Sequence, residues 1–409
     1  MRTLYTIGIW FYGLGVRVAA LFNGKARLWV HGRKGVFADL KRAFAGRTHP
    51  VWVHCASLGE YEQAKPLIEK IKREQPDTQV LVTFFSPSGY TQAVKNPVAD
   101  HNFYLPLDLP CNARRFLDIV RPQVAIFVKY EFWYNFMRQL HNRVIPYYYV
   151  CAIFRERQPF FKPYGRWFAR QLRQASHFFV QTEKSRELLE NIGIKQVTVC
   201  GDTRFDRVKD IAAQEQPLDF MESFANGKKV IVAGSTWKPD EQILAQLLRH
   251  FPEYKIVVAP HEISRTSEVK QTFAAYKTAL YSSKEEGELA DCQVFIVDTI
   301  GILNRLYQYG HVSYVGGAFK TGLHNILEAA VYGKPVFFGP HYDRFNEAVQ
   351  LVASKGAFPV NSADEMRTIM TEFDRNPDYY TQTCGICQKY VAQNLGAADI
   401  IYEKINFDN

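Results

Sequence analysis

The sequence has few cysteines, no internal repeat and no low-complexity segment. Seven cysteines are scattered over 409 residues without a secretory signal, which indicates reduced thiols in a cytoplasmic protein. Cys384 and Cys387 form a lone CGIC with no second pair to complete a zinc site, so we interpret them as structural thiols. At 47% hydrophobic residues the chain is globular rather than disordered, and its length predicts two or three domains.

The charge balance is basic. A formal net charge of +9 favours an anionic partner such as nucleic acid, phospholipid or a phosphorylated substrate. A generally basic surface is the alternative interpretation.

The N-terminus carries the longest apolar run, YTIGIWFYGLGVRVAALF over residues 5–22, which is interrupted by Arg17. A membrane-spanning helix needs about 20 apolar residues, so the run is borderline, and no convincing small-residue cleavage site follows it. Basic residues come next: Lys25, Arg27, Arg33 and Lys34. We expect residues 1–34 to form a membrane-associated segment rather than a buried core helix, with aromatic residues near the headgroups, namely Trp10, Tyr12 and Trp29.

Short apolar runs alternate with helical stretches in two consecutive series. The first series is VWVHCAS, QVLVTFF, NFYLPL, VAIFVKYE, VIPYYYVCA, HFFVQT and VTVCG, and the second is KVIVAGS, KIVVAP, VFIVDT, HVSYVGGA and KPVFFGP. This pattern predicts an α/β protein with two doubly wound, Rossmann-like domains facing a cleft. The expected parts are a first domain over 35–205, a linker over 206–228, a second domain over 229–378, and a C-terminal helix over 379–409 that packs back on the first domain.

Two glutamates follow strands of the first series. Gly59 permits a tight turn and Pro66 is tolerable only in the first turn of a helix, so Glu60 is expected in a loop or at a helix N-terminus. Glu131 ends the run VAIFVKYE, so both carboxylates lie at strand C-termini, where α/β proteins bind ligands. A carboxylate there can act as general base for a sugar hydroxyl, although either residue is equally a candidate paired structural acid.

The second series carries candidate phosphate contacts. After KVIVAG come Ser235 and Thr236 at a helix start, where free backbone N–H groups can receive a phosphate, although the Walker pattern is missing. Taken alone, Ser235 is more often a helix cap. His261 and Arg265 follow the next strand and are able to clamp a phosphate or carboxylate.

The stretch SYVGGAFKTGLHNILEAA predicts a strand, a glycine loop and a helix that starts near His324. Asn325 and Glu328 lie on one helix face at i and i+3. A helix N-terminus favours anionic oxygen, and a carboxylate one turn in can hold a ribose diol. In the alternative interpretation, Asn325 caps the helix and Glu328 is solvated.

A basic and aromatic stretch, FRERQPFFKPYGRWFARQLR over residues 154–173, suits phosphate groups flanked by acyl chains or bases. A plain basic helix is the alternative. Together with the N-terminal segment, the stretch favours a lipid over a nucleic acid as partner. Its candidate contacts are Arg155, Arg157, Lys162 and Arg166.

In their order and spacing, the segments ASLGE, TFFSPSGY, YEFWYN, GDTRFDR, AGSTW, APH and GLHNILEAA resemble those of the bacterial 3-deoxy-D-manno-octulosonic acid (Kdo) transferases. These are membrane-associated enzymes that transfer Kdo from CMP-Kdo to a lipid A precursor in lipopolysaccharide biosynthesis. The resemblance covers nearly the whole chain. It implies the glycosyltransferase B fold, with the acceptor on the N-terminal side and the nucleotide sugar on the C-terminal side.

The resemblance also implies a mechanism and a location. Glu60 matches the proposed catalytic base, which deprotonates the acceptor hydroxyl that attacks the Kdo anomeric carbon with inversion and expels CMP. No cofactor and no metal ion are expected. The implied location is the cytoplasmic face of the inner membrane of a Gram-negative bacterium.

Carried over position by position, the resemblance implies two sets of ligand contacts. On the acceptor side these are Ser57, Gly59, Glu131, Arg155, Arg157, Lys162 and Arg166. On the donor side they are Arg204, Ser235, Thr236, Pro260, His261, Gly316, Gly317, Gly322, His324, Asn325 and Glu328.

The sequence departs from the family in three segments. The family commonly has Asn and Lys where this chain has Asp202 and Arg204, ETELWPN where it has KYEFWYN, and GGHNPLEP where it has GLHNILEA. Two rival functions remain open: another enzyme of this fold that uses a UDP-sugar, as transferase or 2-epimerase, and a catalytically silent lipid-binding protein at the membrane surface. Thermal stabilisation by CMP but not UDP distinguishes the Kdo transferase from both.

Overall fold

A computed structural model describes residues 1–46, 49–214, 217–284, 286–320 and 322–407. Residues 215 and 216 of the expected linker lie outside this described part. The strands are β1 (Val51–Cys55), β2 (Val80–Phe84), β3 (His101–Tyr104), β4 (Val124–Val128), β5 (Tyr147–Ala152), β6 (His177–Val180), β7 (Val197–Val199), β8 (Lys229–Thr236), β9 (Tyr254–Pro260), β10 (Thr278–Leu280), β11 (Val294–Ile296), β12 (Val312–Val315), β13 (Val336–Phe338) and β14 (Ala357–Pro359).

The helices of the first half are α1 (Arg2–Ala19), α2 (Gly24–His31), α3 (Val36–Ala43), α4 (Leu58–Glu74), α5 (Pro87–Lys95), α6 (Pro110–Val120), α7 (Tyr134–Asn142), α8 (Arg166–Leu172), α9 (Glu183–Asn191) and α10 (Arg204–Gln214). Those of the second half are α11 (Asp219–Ala225), α12 (Lys238–Leu248), α13 (Thr266–Thr272), α14 (Glu286–Leu289), α15 (Leu303–Leu306), α16 (Leu327–Ala330), α17 (Asn346–Ala353), α18 (Ala363–Arg375), α19 (Pro377–Gln393) and α20 (Ala397–Lys404).

The chain divides into two compact units, the first comprising Met1–Arg207 with Leu395–Asn409 and the second Val208–Asn394. The sheet of the first unit has the order β3-β2-β1-β4-β5-β6-β7, and that of the second has the order β10-β11-β9-β8-β12-β13-β14. All described strand pairs are parallel. Each expected strand of the two series is present. The strands β10 and β14 were not predicted from the sequence.

The first sheet is covered on both faces, as its continuous apolar strands predict. Val51, Val53 and Cys55 of β1 pack with α4 and with Ile401 of α20. On the opposite face Trp52 packs with α6 and α7. The strand ends are therefore the part of each sheet that helices leave free for polar side chains.

The C-terminal helix expected over residues 379–409 is instead two helices. Gly396 takes a left-handed backbone conformation between α19 and α20, at a φ of 94°. Only α20 belongs to the first unit, where Asp206 accepts hydrogen bonds from the backbone N–H groups of Gly396 and Ala398, at 2.6 and 2.9 Å.

The start of α4 also differs from the expectation. The helix begins at Leu58, so Gly59 lies in its first turn rather than in a tight turn, and Pro66 lies in the helix interior. The apolar stripe buried against the sheet maintains the helix through the proline, although a proline lacks the N–H of an internal helical hydrogen bond. Glu60 consequently occupies the third helical position.

The N-terminal segment folds as α1 and α2. No helix in the described part of the chain is both long and apolar enough to cross a membrane. Trp10 and Tyr12 are exposed, but Trp29, which was expected near lipid headgroups, is buried. Its indole ring packs against Tyr12 and Phe85 and carries the Arg33 guanidinium on one face, and these contacts remove it from solvent.

Candidate active site

Glu60 lies where β1 passes into α4, and its carboxylate folds back onto the chain that precedes the helix. It accepts hydrogen bonds from the backbone N–H groups of Ala56 and Ser57. The segment SLGE therefore has the S-x-x-E pattern of a capping box, a signal that the sequence analysis missed. The Ser57 hydroxyl makes no capping hydrogen bond, so only the glutamate half of the box is formed.

The environment of Glu60 favours its protonated form. Only 8% of the residue is exposed, and burial, followed by the charge of Glu131, raises the pKa of Glu60 to about 8. The backbone donors and the Lys129 ammonium act in the opposite direction. Lys129 stands where the family's ETELWPN segment begins with an acid, so the substitution brings a positive charge to the same surroundings. A carboxyl group with this pKa suits general acid–base work near neutral pH.

The structure brings Glu131 to the same strand ends, since β1 and β4 are neighbours. Glu131 Oε2 lies 3.1 Å from His54 Nε2 and accepts a hydrogen bond from Trp133 Nε1 at 2.7 Å. His54 is fully buried, and its Nδ1 lies 3.0 Å from the carbonyl oxygen of Thr83. The sequence analysis missed His54, although a histidine inside the apolar run VWVHCAS was a signal of a buried polar contact.

The basic candidates of the first unit separate into two places. Arg155 lies over the ring of Tyr130 at 5.9 Å, and the charge of Glu60 reaches Tyr130, so Arg155 belongs to the surroundings of the two glutamates. Lys162 and Arg166 instead line a cavity of about 440 Å³ with Phe160, Phe161, Arg170 and Arg173. Arg157 is exposed.

Arg204 pairs with Asp202. The chain departs from the family at both of these positions, which lie in the same segment. The Arg204 guanidinium donates to Asp202 Oδ2 from Nε at 2.9 Å and lies 2.8 Å from it through Nη2. Gln63 Nε2 donates to the other carboxylate oxygen at 2.8 Å. These contacts hold the pKa of Asp202 low despite its burial. The charge of Arg204 is therefore largely matched inside the first unit.

In the second unit, the ends of β8 and β12 and the start of α12 pack very closely together. Gly316 is buried, and a Cβ atom there would lie 2.4 Å from the Ser235 carbonyl oxygen and 2.7 Å from Thr236 Cα. Ser235 itself is left-handed, at a φ of 53°. Asp240 accepts hydrogen bonds from the backbone N–H groups of Trp237 and Gly317, at 2.8 and 3.2 Å. The glycine loop is thus fixed to the start of α12 by a buried carboxylate that the sequence analysis missed.

Two residues in this region that were expected to contact a ligand bind another side chain of the protein instead. The Thr236 hydroxyl donates to Glu241 Oε1 at 3.1 Å, and Arg265 forms two hydrogen bonds of 2.9 Å with the same carboxylate. Arg265, which was expected to bind a ligand, thus forms an ion pair with Glu241. The backbone of Thr236 also contacts the next loop, since its carbonyl accepts from the His261 N–H at 3.0 Å.

Three rings stack beside the glycine loop. His261 lies 5.0 Å from the Trp237 ring and 4.4 Å from the His324 ring. Burial, together with the neighbouring His261, lowers the pKa of His324 to about 4, so its ring is neutral at physiological pH. His324 Nε2 and Trp237 Nε1 are buried polar atoms without a hydrogen-bond partner among the described residues. Such atoms are candidates for contacts with a bound ligand.

A cavity of about 260 Å³ adjoins this stack. It is lined by Trp237, Asp240, Gly317 and Phe319 together with the basic residues Lys238, Arg265 and Lys320. Its charge suits an anionic ligand. Pro260 ends β9 beside His261, and Gly322 is left-handed at a φ of 100°.

The expected helix near His324 is shorter than predicted, because α16 is a single turn that begins at Leu327. Asn325 Oδ1 accepts from the Leu327 N–H at 3.3 Å and Asn325 Nδ2 donates to Glu328 at 3.0 Å. The N-cap residue of α16 is Ile326, so Asn325 precedes the helix and binds the N–H of its first residue from outside. Glu328 is partly buried rather than simply solvated.

Comparison with known proteins identifies enzymes that this chain resembles. A family model described as 3-deoxy-D-manno-octulosonic-acid transferase (kdotransferase) matches residues 30–207. The 3-deoxy-D-manno-octulosonic acid transferase of Aquifex aeolicus (strain VF5) is 28% identical over 332 residues, 79% of this chain and 85% of that protein. The enzyme of the same name from Haemophilus influenzae is 27% identical over 76% of each chain. Over about three quarters of its length the chain is similar to Kdo transferases. It is a glycosyltransferase.

Solved structures confirm the fold of the chain. The UDP-GlcNAc 2-epimerase of Neisseria meningitidis superposes with a TM-score of 0.61 at 16% identity, over 87% of this chain and 98% of that one. MurG of Acinetobacter baumannii gives a TM-score of 0.56 at 11% identity, over 87% and 99%. At these identities the likeness concerns the fold alone, which is the glycosyltransferase B fold of two Rossmann-like domains.

Proposed function

We propose that the protein transfers Kdo from CMP-Kdo to a lipid A precursor with inversion at the anomeric carbon, and that Glu60 is the general base. The observation that carries this proposal is the buried Glu60 carboxyl at the end of β1, whose pKa is raised to about 8. Its ionised form takes the proton of an acceptor hydroxyl, and that hydroxyl attacks the Kdo anomeric carbon as CMP leaves.

Donor binding is proposed for the second unit. Lys238 and Lys320 line the cavity beside the glycine loop, and their charge suits the phosphate of CMP and the carboxylate of Kdo. Trp237 and His324 offer unpartnered ring nitrogens at the same place. Helix N-termini and basic side chains supply charge stabilisation for the departing CMP, so we propose that the reaction needs no metal ion.

Acceptor binding is proposed for the first unit. The basic cavity of Lys162, Arg166, Arg170 and Arg173 is lined by Phe160 and Phe161, a combination that suits a phosphorylated, acylated sugar. Arg155, beside Tyr130, places a further cation near Glu60.

We also propose attachment to the cytoplasmic face of the inner membrane of a Gram-negative bacterium. The exposed apolar and aromatic side chains of α1 support this location; they are Leu4, Ile7, Trp10, Phe11, Tyr12, Leu14 and Val18. An apolar helix surface of this kind lies in the interfacial region of a bilayer.

The test is transfer of Kdo, generated in situ as CMP-Kdo, to a tetraacylated lipid A precursor by the purified protein, followed by mass spectrometry. A product heavier by one or more Kdo units is expected. Absence of product from folded protein, with acceptors of either phosphorylation state, would overturn the proposal. Thermal stabilisation by UDP rather than CMP would indicate a UDP-sugar enzyme instead.

A further inference from the structure

A second basic cavity of the first unit lies among the N-terminal helices. It has a volume of about 260 Å³ and lies between α1, α2, α3 and the connection from β3 to α6. Among its lining residues are Gly13, Arg17, Trp29, Arg33, Lys34 and Asn112. Three of these are cationic, and none of the lining residues is acidic.

The wall on the α1 side is held in place by close contacts with the first unit. Gly13 is buried against Leu107, so near that a Cβ atom would lie 2.6 Å from Leu107 Cδ2. Tyr5 donates a hydrogen bond of 2.6 Å to Asp108. The cavity is therefore a built feature of the fold rather than a gap beneath a loose helix.

Arg33 gives the cavity its electrostatic character. Its guanidinium donates to three backbone carbonyls, those of Leu105, Trp29 and Phe85, at 2.9, 3.1 and 2.8 Å, and it lies 3.8 Å over the Trp29 ring. These partners satisfy hydrogen bonds but carry no full negative charge, and burial lowers the pKa of Arg33 to about 9. No carboxylate pairs with Arg33 in the described part of the chain. A desolvated cation without a counter-ion is costly, so an anion in the cavity would be strongly favoured.

We propose that this cavity binds the phosphate group of an anionic lipid headgroup, with Arg17 and Lys34 contacting the phosphate and Arg33 supplying positive charge from the cavity wall. A lipid is favoured over free phosphate because Arg17 lies in the last turn of α1, and the exposed apolar residues Leu21 and Phe22 follow just after the helix ends. Acyl chains would lie along those residues while the phosphate enters the cavity. This inference rests on the proposed membrane attachment and adds to it one defined headgroup site.

The first experiment uses the full chain with the double variant Arg17→Gln/Lys34→Gln. The matched control is Lys25→Gln/Lys41→Gln, which removes the same charge from exposed residues that do not line the cavity. Co-sedimentation is measured at constant salt with phosphatidylglycerol–phosphatidylcholine vesicles. We expect the cavity variant to lose about tenfold more affinity than the control, because non-specific attraction falls equally in both. Equal losses would overturn the proposal.

The second experiment separates the cavity from membrane attachment and the lipid from free phosphate. Thermal unfolding is measured with dihexanoyl phosphatidic acid below its micellar concentration, with dihexanoylglycerol, and with inorganic phosphate. The phosphatidic acid should raise the Tm of the wild type but not of the cavity variant, while dihexanoylglycerol should have no effect. No rise with phosphatidic acid, or an equal rise with inorganic phosphate, would overturn the lipid site. A rise without any vesicle binding would support the cavity and refute membrane attachment.

Discussion

Both ring nitrogens of His54 face oxygen atoms that accept hydrogen bonds. Nδ1 lies 3.0 Å from the Thr83 carbonyl oxygen and Nε2 lies 3.1 Å from Glu131 Oε2. The Trp133 indole N–H lies 3.1 Å from His54 Nε2 and donates to Glu131 Oε2 at 2.7 Å, so two ring groups hold that carboxylate in place. The charge of Glu131 in turn raises the pKa of Glu60.

This arrangement predicts a shift in the pH dependence of transfer. The wild-type kcat/KM should rise with pH through about 8, because the base must be ionised. Glu131→Gln removes a like charge and should move this limb to lower pH. An unchanged limb would show that Glu131 acts only structurally.

Glu60→Gln should abolish most of the transfer while leaving the donor site intact. General base catalysis contributes about 10²–10⁴-fold, so we expect kcat to fall by that range with CMP-Kdo affinity unchanged. Glu74→Gln, an exposed position near the end of the same helix, is the matched control and should retain activity. Near wild-type turnover of Glu60→Gln would eliminate Glu60 as the base.

The same substitution should stabilise the fold at alkaline pH. The pKa of Glu60 rises from 4.5 to about 8 on folding, so the stability that its protonated form contributes is complete below 4.5 and is lost as pH rises to 8. Glutamine resembles the protonated form and does not ionise, so the variant keeps this stability as the pH rises. Thermal unfolding should therefore show a gain in Tm for Glu60→Gln over wild type that grows between pH 5 and 9, by several degrees. A gain independent of pH would contradict the burial of an ionisable Glu60.

Two glycines should respond oppositely to alanine. Gly316→Ala places a Cβ 2.4 Å from a backbone oxygen and should destabilise the second unit by about 1–3 kcal/mol or more, with loss of CMP stabilisation. Gly59→Ala meets no atom within 4 Å and lies in a helix, so it should stabilise by about 0.5–1 kcal/mol. Chemical denaturation measures both. Destabilisation by Gly59→Ala would refute the helical assignment of that residue.

Transfer should survive chelation. Because Lys238 and Lys320 supply positive charge to the donor cavity, activity after treatment with EDTA should remain within about twofold of the untreated enzyme. Addition of magnesium or manganese to the treated enzyme is the control. Strict dependence on either ion would overturn the proposal of a metal-independent reaction.

Much of the fold could be predicted from the sequence because parallel sheets buried on both faces leave continuous apolar runs. The runs predicted strands of both sheets and placed Glu60 and Glu131 at strand C-termini. The sheet order alone makes the first and fourth runs neighbouring strands and so brings the two carboxylates to the same place. Local features were less predictable. The prediction drawn from Pro66 put the start of α4 at the wrong residue, and the break at Gly396 was not predicted. In both places tertiary packing overrides the local preferences of single residues.

The partners of the candidate site residues could not be read from the sequence at all. Arg265 looked like a ligand contact, and only the fold joins it to Glu241, 24 positions earlier. His54 looked like part of a core strand, and only the neighbouring strands bring Thr83 and Glu131 to its two nitrogens.

By itself, the sequence determined the sheet strands, the carboxylates at their ends and the likeness to Kdo transferases, since these depend on residue order and local pattern. The tertiary structure alone decided which charges are matched and which are not. Arg204 is paired with Asp202, whereas Arg33 is surrounded by carbonyls and rings, because pairing depends on distances between residues that the fold brings together.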